Sequence, residues 1–545
     1  MAGVSFNKTY LSRLVGKSID FDKIAQQATK MGVEFEGADS TEMRFQITAN
    51  RPDLLDIVGF ARALKNFMHK SKKFSYKMKS SAPYLEINVG KDVSGIRPFI
   101  SGIVAKNIDF DDQSLKHLLN FSEKFSDIFG RHREKLAIGM HNLDKIGTVL
   151  KYDAFPDQEF VALGEKKSML FSKVLETNKK GIEYGDIITC HKTQNCYPAL
   201  KDLDGVLALI PVVNSERTKI STSTHNMFID MTGTSKYVVD KAADMFAATL
   251  MDMGAYIYPV KVNYGKKSNV FPIMEERSIS IPLGQIDEVL GVSVGFNNAL
   301  SLAEKMGYAC SYLNKKIVFK IPSYRLDILT DQDIIEDMAI AYGYEYIANM
   351  PIYSTQTGML EERTEKNRKL SAIMTGLGFG EMMNSYLTSE NENFNKMRVA
   401  ANQSKYIKLK NSKTGSITMM RTWILPSLLK NFSLSVHEKM PQKIFEADVV
   451  FALANKMPSE KYHLSAAMAD PKANFNDIKS VLESVLNEIP GEYTFRAAAH
   501  ESFIEGRVAD IVVGKATVGF VGELHPEVLS NFGIEEPCFG FEIII

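Results

Sequence analysis

The sequence contains little cysteine and carries no net charge. Each of these features excludes some classes of protein. The four cysteines, Cys190, Cys196, Cys310 and Cys538, are scattered over 545 residues, which is typical of a reduced cytosolic protein. Lysine plus arginine number 65, as do aspartate plus glutamate, so a uniformly basic nucleic-acid-binding surface is excluded. Any contact with nucleic acid must therefore be local or depend on a partner.

Long apolar runs are also missing. The N-terminal segment lacks the apolar stretch of a secretory signal peptide. The longest strongly apolar run, residues 206–213 (VLALIPVV), is far shorter than the roughly 20 residues that cross a bilayer. We therefore expect a soluble cytoplasmic protein without membrane contact, and we interpret 206–213 as a buried strand.

The apolar content that is present suffices for several folded domains. Hydrophobic residues make up 45% of the chain and charged residues 24%, which is ordinary for globular proteins and excludes disorder as the main state. At about 100–200 residues per domain, the length predicts three to five domains.

A gap-free internal repeat organises the chain. Residues 14–33 (LVGKSIDFDKIAQQATKMGV) match residues 289–308 (VLGVSVGFNNALSLAEKMGY), with Gly, Ser, Phe, Ala, Lys, Met and Gly at equivalent positions. An Arg-x-Asp sequence follows in each copy, at Arg51–Asp53 and Arg325–Asp327, and precedes a second helical pattern. The repeat predicts one small unit of helices and strands that is used twice, on either side of a long middle region.

The second copy carries a cluster of carboxylates. In RLDILTDQDIIED, Asp333, Glu336 and Asp337 stand at i, i+3 and i+4 of a predicted helix, and Asp327 precedes the helix. Converging carboxylates without a balancing cation suit Mg²⁺. Acidic residues in a first helical turn also stabilise the helix dipole, so the spacing alone leaves both interpretations open.

The middle region contains a polar stretch, VNSERTKISTSTHNMFIDMTGT, at residues 213–234. Its hydroxyl, amide and carboxylate side chains could line a polar pocket, or they could serve as helix caps and turns. A nearby segment, GMHNLD at 139–144, contains His141 and Asn142, whose role the sequence leaves open. The lysine-rich segment 65–80, with interleaved Phe67, Phe74 and Tyr76, is either a solvated linker or an RNA-facing stripe.

Several of these segments together resemble a known family. ITANRPDLLDIVGFARAL (47–64), KLAIGMHNLDKI (135–146), the 213–234 stretch, IPSYRLDILTDQDIIEDMAIAYGYEYI (321–347), RTWILPSLLKN (421–431) and GFVGELHPEVL (519–529) are similar, in the same order, to the β subunit of phenylalanyl-tRNA synthetase. The form resembled is the shorter one of archaea and the eukaryotic cytosol, and the resemblance covers essentially the whole chain.

The resemblance implies an α+β multidomain fold and a role in protein biosynthesis. Its domains would be a first copy of the repeat unit with the lysine-rich linker (1–85), a mixed α/β tRNA-editing domain (86–270), a second copy with a magnesium site (271–355), and a catalytically silent class II synthetase-like domain with an antiparallel sheet (356–545). The chain would act as the β subunit of a phenylalanine–tRNA ligase, an (αβ)₂ heterotetramer that binds tRNA(Phe). ATP would bind mainly on the α subunit, where aminoacylation would take place.

The resemblance also implies site residues. Asp327, Asp333, Glu336 and Asp337 would bind Mg²⁺ near the boundary with the α subunit. Arg421 and the segment 443–451 (KIFEADVVF) resemble remnants of a class II motif, although FEAD departs from the usual Phe-Glu-Ile-Gly. The editing pocket that hydrolyses Tyr-tRNA(Phe) would contain five residues: Ser215, Asp230, Thr232, Asn214 and Glu216.

Two other functions compete with this interpretation. One is a structural and tRNA-binding subunit without active editing. The other is a DNA-binding regulator built from the repeated helix–strand units, against which the balanced charge argues.

Overall fold

The computed structural model describes residues 2–16, 20–68, 76–188, 191–349, 356–412 and 414–545. Two compact units make up the chain, Met1–Pro351 and Ile352–Ile545. Within the described ranges, every helix is too short or too polar to cross a bilayer.

The first unit begins with a small module in which helices cover an antiparallel sheet of strand order β1–β3–β2. Its elements are β1 (Ala2–Asn7), α1 (Lys8–Val15), α2 (Phe21–Lys30), β2 (Glu34–Ala38), β3 (Glu42–Ile47) and α3 (Ile57–Phe67). A short 3-10 turn, Pro52–Leu55, lies between β3 and α3. The Asp56 side chain accepts a hydrogen bond from the Gly59 N–H and so caps α3.

The middle region contains a large mixed sheet. Its elements are β4 (Leu85–Val89), β5 (Phe99–Lys106), α4 (Asp112–Ile128), β6 (Ala137–Asn142), β7 (Val149–Phe155), β8 (Glu159–Phe160), β9 (Met169–Leu170), α5 (Phe171–Thr177), α6 (Lys179–Tyr184), α7 (His191–Gln194), β10 (Tyr197–Asp202), β11 (Gly205–Leu209), β12 (Val213–Asn214), β13 (Met227–Gly233), α8 (Lys236–Asp252), β14 (Tyr256–Tyr264) and β15 (Lys267–Phe271).

The order of strands in this sheet is β12–β11–β10–β7–β4–β14–β5–β13–β6, with β15 added to β14. Strand β4 runs parallel to β7 and β14, and the other neighbours are antiparallel. The apolar run 206–213 is buried as predicted but is not one strand. Strand β11 ends at Leu209 because Pro211 has no N–H with which to continue the ladder.

The second copy of the repeat follows the middle region with the same order of elements. These are β16 (Arg277–Pro282), α9 (Leu283–Leu290), α10 (Phe296–Lys305), β17 (Ala309–Leu313), β18 (Lys316–Ile321) and α11 (Asp331–Tyr342). The strand order is β16–β18–β17, equivalent to that of the first copy. Gly32 after α2 and Gly307 after α10 adopt similar positive φ angles, 82° and 90°, so the repeat extends to the helix ends.

The two copies also form equivalent ion pairs. The Arg51 guanidinium donates two hydrogen bonds of 2.9 Å to the Asp53 carboxylate. The Arg325 guanidinium donates to Asp327 in the same two-pronged way, at 2.9 and 2.7 Å. The Arg-x-Asp motif therefore serves in both copies to brace the turn that precedes the last helix.

A buried arginine joins both copies to the middle region. Arg62 of α3 lies 3.8 Å from the centre of the Tyr324 ring in the second copy and donates a 2.6 Å hydrogen bond to Asp252 at the end of α8. Helix α3 also packs on α10, and a Cβ atom added to Gly307 would lie only 2.9 Å from the Asn66 amide. The two copies are thus held together although more than 200 residues separate them.

The second unit is built around another sheet, of order β19–β22–β23–β27–β26–β25–β24, in which β19 runs parallel to β22 and the other neighbours are antiparallel. Its elements are α12 (Glu362–Gly376), β19 (Gly380–Glu381), β20 (Leu387–Thr388), β21 (Met419–Met420), α13 (Leu425–Leu434), β22 (Gln442–Ala454), β23 (Met457–Ala469), α14 (Phe475–Leu486), β24 (Tyr493–Ala497), β25 (Phe503–Val513), β26 (Ala516–Leu524), α15 (Pro526–Phe532) and β27 (Cys538–Ile544).

We predict that Arg62→Ala destabilises the first unit by about 3–5 kcal/mol, because it leaves the Asp252 carboxylate without its buried cation. Urea denaturation followed by circular dichroism measures this loss. Arg44→Ala is the matched control, because the Arg44–Asp39 pair is about half exposed and exposed pairs contribute little. Equal midpoints for the two variants would contradict the role given to Arg62.

Candidate functional site

A cavity of about 290 Å³ lies beside β6 and β13. Apolar side chains line much of it, among them Leu119, Ile138, Met140, Leu163, Val212 and Val213. Polar groups enter from β13 and β12, and charged side chains of α4, α6 and two loops stand beside them: Glu123, Arg133, Lys180 and Lys219. The cavity thus combines an apolar wall with a small set of polar groups, the usual composition of a ligand pocket.

The register of the sheet creates the space at the cavity floor. Asp230 on β13 stands opposite Gly139 on β6 and Gly102 on β5, and Thr232 stands opposite Ala137. A Cβ atom added to Gly139 would lie 2.1 Å from Asp230 Oδ2. Only glycine therefore fits beside this carboxylate.

Asp230 uses one carboxylate oxygen for a hydrogen bond within the protein. Its Oδ2 lies 3.0 Å from Nε2 of His141, and Nδ1 of that histidine lies 2.8 Å from the Thr218 hydroxyl. The three side chains are fully buried. Oδ1 of Asp230 has no hydrogen-bond partner among the described residues, so this cavity-lining residue keeps a buried, unsatisfied acceptor.

A buried arginine, Arg97, binds Thr232. Arg97 Nε donates to the Thr232 hydroxyl at 3.1 Å and Nη2 donates to the Thr232 carbonyl at 2.7 Å. Burial lowers the pKa of Arg97 to about 10, while Tyr152 and Asp230 act in the opposite direction. Arg97 therefore stays cationic at neutral pH and offsets part of the negative charge of Asp230.

The loop that follows α4 holds the opposite wall in place. Arg131, His132 and Arg133 all have φ between 50° and 66°, in the left-handed region that costs a non-glycine residue roughly 1–2 kcal/mol. The strained turn directs Arg133 beneath the cavity wall, where its Nη1 donates to the carbonyls of Pro211 and Val212 at 3.0 Å.

Three of the five residues predicted for the editing pocket line the cavity, namely Asp230, Thr232 and Asn214. The Asn214 amide donates to the Met140 carbonyl at 3.1 Å and so joins β12 to β6. Ser215 and Glu216 are not among the lining residues. The structure therefore brings together only part of the predicted set.

Ser215 and Glu216 have structural contacts instead. The Ser215 hydroxyl accepts a hydrogen bond from the Arg217 N–H and caps the short turn 216–218. Glu216 accepts from the Gly164 N–H at 2.8 Å and forms an ion pair with Lys219, and these contacts lower its pKa. The caps-and-turns interpretation of the polar stretch thus applies to these two residues.

The four predicted magnesium ligands do not converge on one point. Asp327 and Asp337 both accept hydrogen bonds from Nη2 of Arg325, at 2.7 and 2.6 Å. Asp333 Oδ2 accepts from the N–H groups of Leu329 and Thr330 and caps α11, and Glu336 is exposed.

The expectation that no cation balances these carboxylates is therefore wrong, because the Arg325 guanidinium lies between two of them. Across the part of the chain that the structure describes, no three His, Cys, Asp or Glu side chains are arranged to hold a metal ion. As they stand within this one chain, the four residues do not fit a magnesium ion.

The lysine-rich segment lies partly outside the described residues, since 69–75, with Phe74, is not described. Phe67 is buried in α3. The Tyr76 hydroxyl donates to Asp252 at 3.0 Å, and its ring meets the Tyr324 ring edge-on at 5.7 Å. Phe67 is thus buried and Tyr76 is partly buried against Asp252 and Tyr324, so neither ring is presented freely for stacking on RNA bases.

Comparisons with known proteins agree with the resemblance seen in the sequence. The family model described as phenylalanyl tRNA synthetase beta chain CLM domain matches residues 348–545, and the model of the tRNA synthetase B5 domain matches residues 279–344. The phenylalanine–tRNA ligase beta subunit of Methanococcus maripaludis (strain C6) is 33% identical over 566 aligned residues, which cover 100% of both chains.

Two further relatives point the same way. The phenylalanine–tRNA ligase beta subunit of Archaeoglobus fulgidus is 34% identical over 98% of this chain and 96% of its own length. The chain belongs to the phenylalanine–tRNA ligase β-subunit family. A crystal structure of an N-terminal fragment of the phenylalanyl-tRNA synthetase β subunit from Pyrococcus horikoshii is similar in fold as well, with a TM-score of 0.59 and 29% identity. It covers 63% of this chain and 99% of the fragment.

The resemblance of the sequence to the family did not identify every residue that shapes the cavity. Arg97, Gly139 and Thr218 were not predicted, and the role of His141 was left open. The alternation of Ala137, Gly139 and His141 is a usable signal, because residues two apart on a strand share one face. Asn142 accepts a hydrogen bond from the Asp144 N–H, so it belongs to a turn and not to the cavity.

We predict that Gly139→Ala destabilises the protein by about 1–3 kcal/mol, because its Cβ would collide with the Asp230 carboxylate and force the strands to shift. Gly95→Ala is the matched control, since a Cβ there meets no atom within 4 Å. Thermal unfolding of both variants measures the difference. Identical melting temperatures would show that the space beside Asp230 is larger than the structure indicates.

Proposed function

We propose that the chain is the β subunit of a phenylalanine–tRNA ligase of (αβ)₂ composition and that it removes tyrosine from misacylated Tyr-tRNA(Phe). The α subunit would bind ATP and phenylalanine and carry out aminoacylation. Family membership and the buried state of Arg421 support this division. Arg421 is fully buried, forms a 2.5 Å ion pair with Glu446 and donates to the Val449 carbonyl, so it is not free to hold a nucleotide.

The observation that carries the editing proposal is the unsatisfied Oδ1 of Asp230, a residue that lines the cavity. Tyrosine differs from phenylalanine by one hydroxyl group, which the apolar wall would leave without a hydrogen bond. At Asp230 a phenolic O–H would satisfy the buried acceptor, whereas phenylalanine would leave it unpaired. A buried acceptor without a partner costs free energy, so the site favours the substrate that carries the hydroxyl.

A second site is needed because the pocket that binds the amino acid for aminoacylation has limited selectivity. A hydrophobic pocket rejects an isostere with one added hydroxyl only weakly, by a factor on the order of 10². A second site that is built to hydrogen-bond the hydroxyl can discriminate far more strongly, because its polar groups are left unpaired by the wrong substrate. Asp230, supported by the buried cation Arg97, has the chemistry for this second selection.

Hydrolysis would use water as the nucleophile. The water oxygen attacks the carbonyl carbon of the aminoacyl ester, and the bond from that carbon to the ribose oxygen breaks. The ribose oxygen takes a proton, and free tyrosine and tRNA are released. The site residues would select the amino acid and hold its ring, while the charged groups beside the cavity face the nucleotide end of the substrate.

We predict that Asp230→Ala lowers the rate of tyrosine release from preformed Tyr-tRNA(Phe) by about 10- to 100-fold, the effect of losing a hydrogen bond to a charged group. Thr232→Ala should lower the rate in the same direction. Asp144→Ala, a substitution of a residue that faces Asn226 outside the cavity, is the control. Aminoacylation by the assembled complex should not change.

Two results would contradict this assignment in different ways. Unchanged rates in Asp230→Ala and Thr232→Ala would show that editing takes place elsewhere. A wild-type complex that does not release tyrosine would favour the rival function, a structural and tRNA-binding subunit without editing.

Magnesium is a separate proposal. We propose that Mg²⁺ binds near Asp333 and Glu336 only in the assembled complex, with the remaining ligands supplied by water or by the α subunit, because Arg325 already neutralises Asp327 and Asp337. Titration with Mn²⁺, followed by electron paramagnetic resonance, should detect no tight site on the chain alone and one site per β subunit in the complex. Loss of that site in Glu336→Ala is expected, and an intact site in that variant would contradict the proposal.

A further inference from the structure

We propose that His141 is a positioning residue for selection of the tyrosyl group. It would act by fixing the orientation of the Asp230 carboxylate, with Thr218 as the residue that holds the histidine. This inference rests on the proposed editing function. It adds a buried histidine and a threonine that do not line the cavity to the groups that determine its specificity.

The first support is that the carboxylate does not fix its own orientation. Rotation about the last side-chain bond of an aspartate is nearly unrestrained, because that torsion has broad minima. Gly139 and Gly102, the two residues opposite Asp230, carry no side chain that could stop such a rotation. Among the described residues, the Asp230 carboxylate makes one hydrogen bond, the 3.0 Å contact with His141 Nε2.

The second support is that His141 is itself held in place. The Thr218 hydroxyl lies 2.8 Å from its Nδ1, and the Phe228 ring lies nearly parallel to the imidazole at 5.9 Å between ring centres. Both His141 and Thr218 expose no surface. A buried histidine with both ring nitrogens engaged and one face covered has a single orientation.

The chemistry of the pair determines which atom donates. An ionised carboxylate can only accept, so Nε2 of His141 must carry the proton that is directed to Asp230 Oδ2. In the neutral imidazole Nδ1 then accepts from the Thr218 hydroxyl. This relay, from Thr218 through His141 to Asp230, thereby occupies Oδ2 and leaves Oδ1 as the acceptor for the substrate hydroxyl.

A buried cation also acts on Asp230. Arg97 reaches the same strand through Thr232 and interacts electrostatically with Asp230. Without His141, the carboxylate could turn its free oxygen away from the cavity, and the site would bind tyrosyl and phenylalanyl groups more equally. A positioning role therefore predicts a loss of selectivity, which differs from a general loss of activity.

The experiment compares hydrolysis of preformed Tyr-tRNA(Phe) and Phe-tRNA(Phe) by the complex of this chain with its α subunit. His141→Leu removes the donor and should lower the Tyr/Phe ratio of kcat/KM about 10- to 100-fold. His141→Gln keeps an amide N–H that can donate to Asp230 and should retain the ratio within about fivefold of wild type. Thr218→Val should give an intermediate ratio.

The control is His225→Leu, because His225 bonds the Ile108 carbonyl away from the cavity and should leave the ratio unchanged. A structural role for His141 would lower both hydrolysis rates together and would not be rescued by glutamine. An unchanged ratio in folded His141→Leu, or in Thr218→Val should the leucine variant fail to fold, would overturn the inference while the editing function stands. A wild-type complex without any hydrolysis of Tyr-tRNA(Phe) would overturn the proposed function itself.

Discussion

The guanidinium of Arg62 is the point at which the three parts of the first unit meet. It belongs to the first copy of the repeat, stacks on Tyr324 of the second copy, and binds Asp252 at the end of α8 in the middle region. Because a buried charge must be compensated, this contact constrains all three at once. One buried side chain thus joins the two copies of the repeat to each other and to the end of α8.

The large sheet, in turn, presents the polar site. Helix α8 follows directly on β13, the strand that carries Asp230 and Thr232, and it packs on β5, β13 and β14. The site concentrates several costly features in one place: a buried carboxylate with an unsatisfied oxygen, a buried arginine, and three successive left-handed residues. Such features destabilise a fold and persist where function requires them.

Sequence reasoning located much of this arrangement and missed specific parts. The repeat is readable because its glycines and helix periodicity are local signals, and the prediction of Asp230 and Thr232 rests on a family resemblance. His141, Thr218 and Arg97 lie far apart in the chain. The register of β6 with β13 brings His141 to Asp230, while Thr218 contacts His141 and Arg97 contacts Thr232 from outside these two strands. No local pattern specifies these contacts. The balancing role of Arg325 was missed for a similar reason: residues 327–337 read as an uncompensated acidic cluster, although the cation stands two positions before Asp327.

The proposed editing function depends on recognition of the phenolic hydroxyl of a tyrosyl group by Asp230 Oδ1. A crystal structure of the complex with a non-hydrolysable tyrosyl-adenosine analogue, in which an amide replaces the ester, tests it most directly. We expect the ring to lie between the apolar wall and β13, with the phenolic oxygen about 2.5–2.8 Å from Asp230 Oδ1. A tyrosyl ring outside this cavity, or a hydroxyl bonded elsewhere while Asp230 Oδ1 stays unpaired, would contradict this role of Asp230.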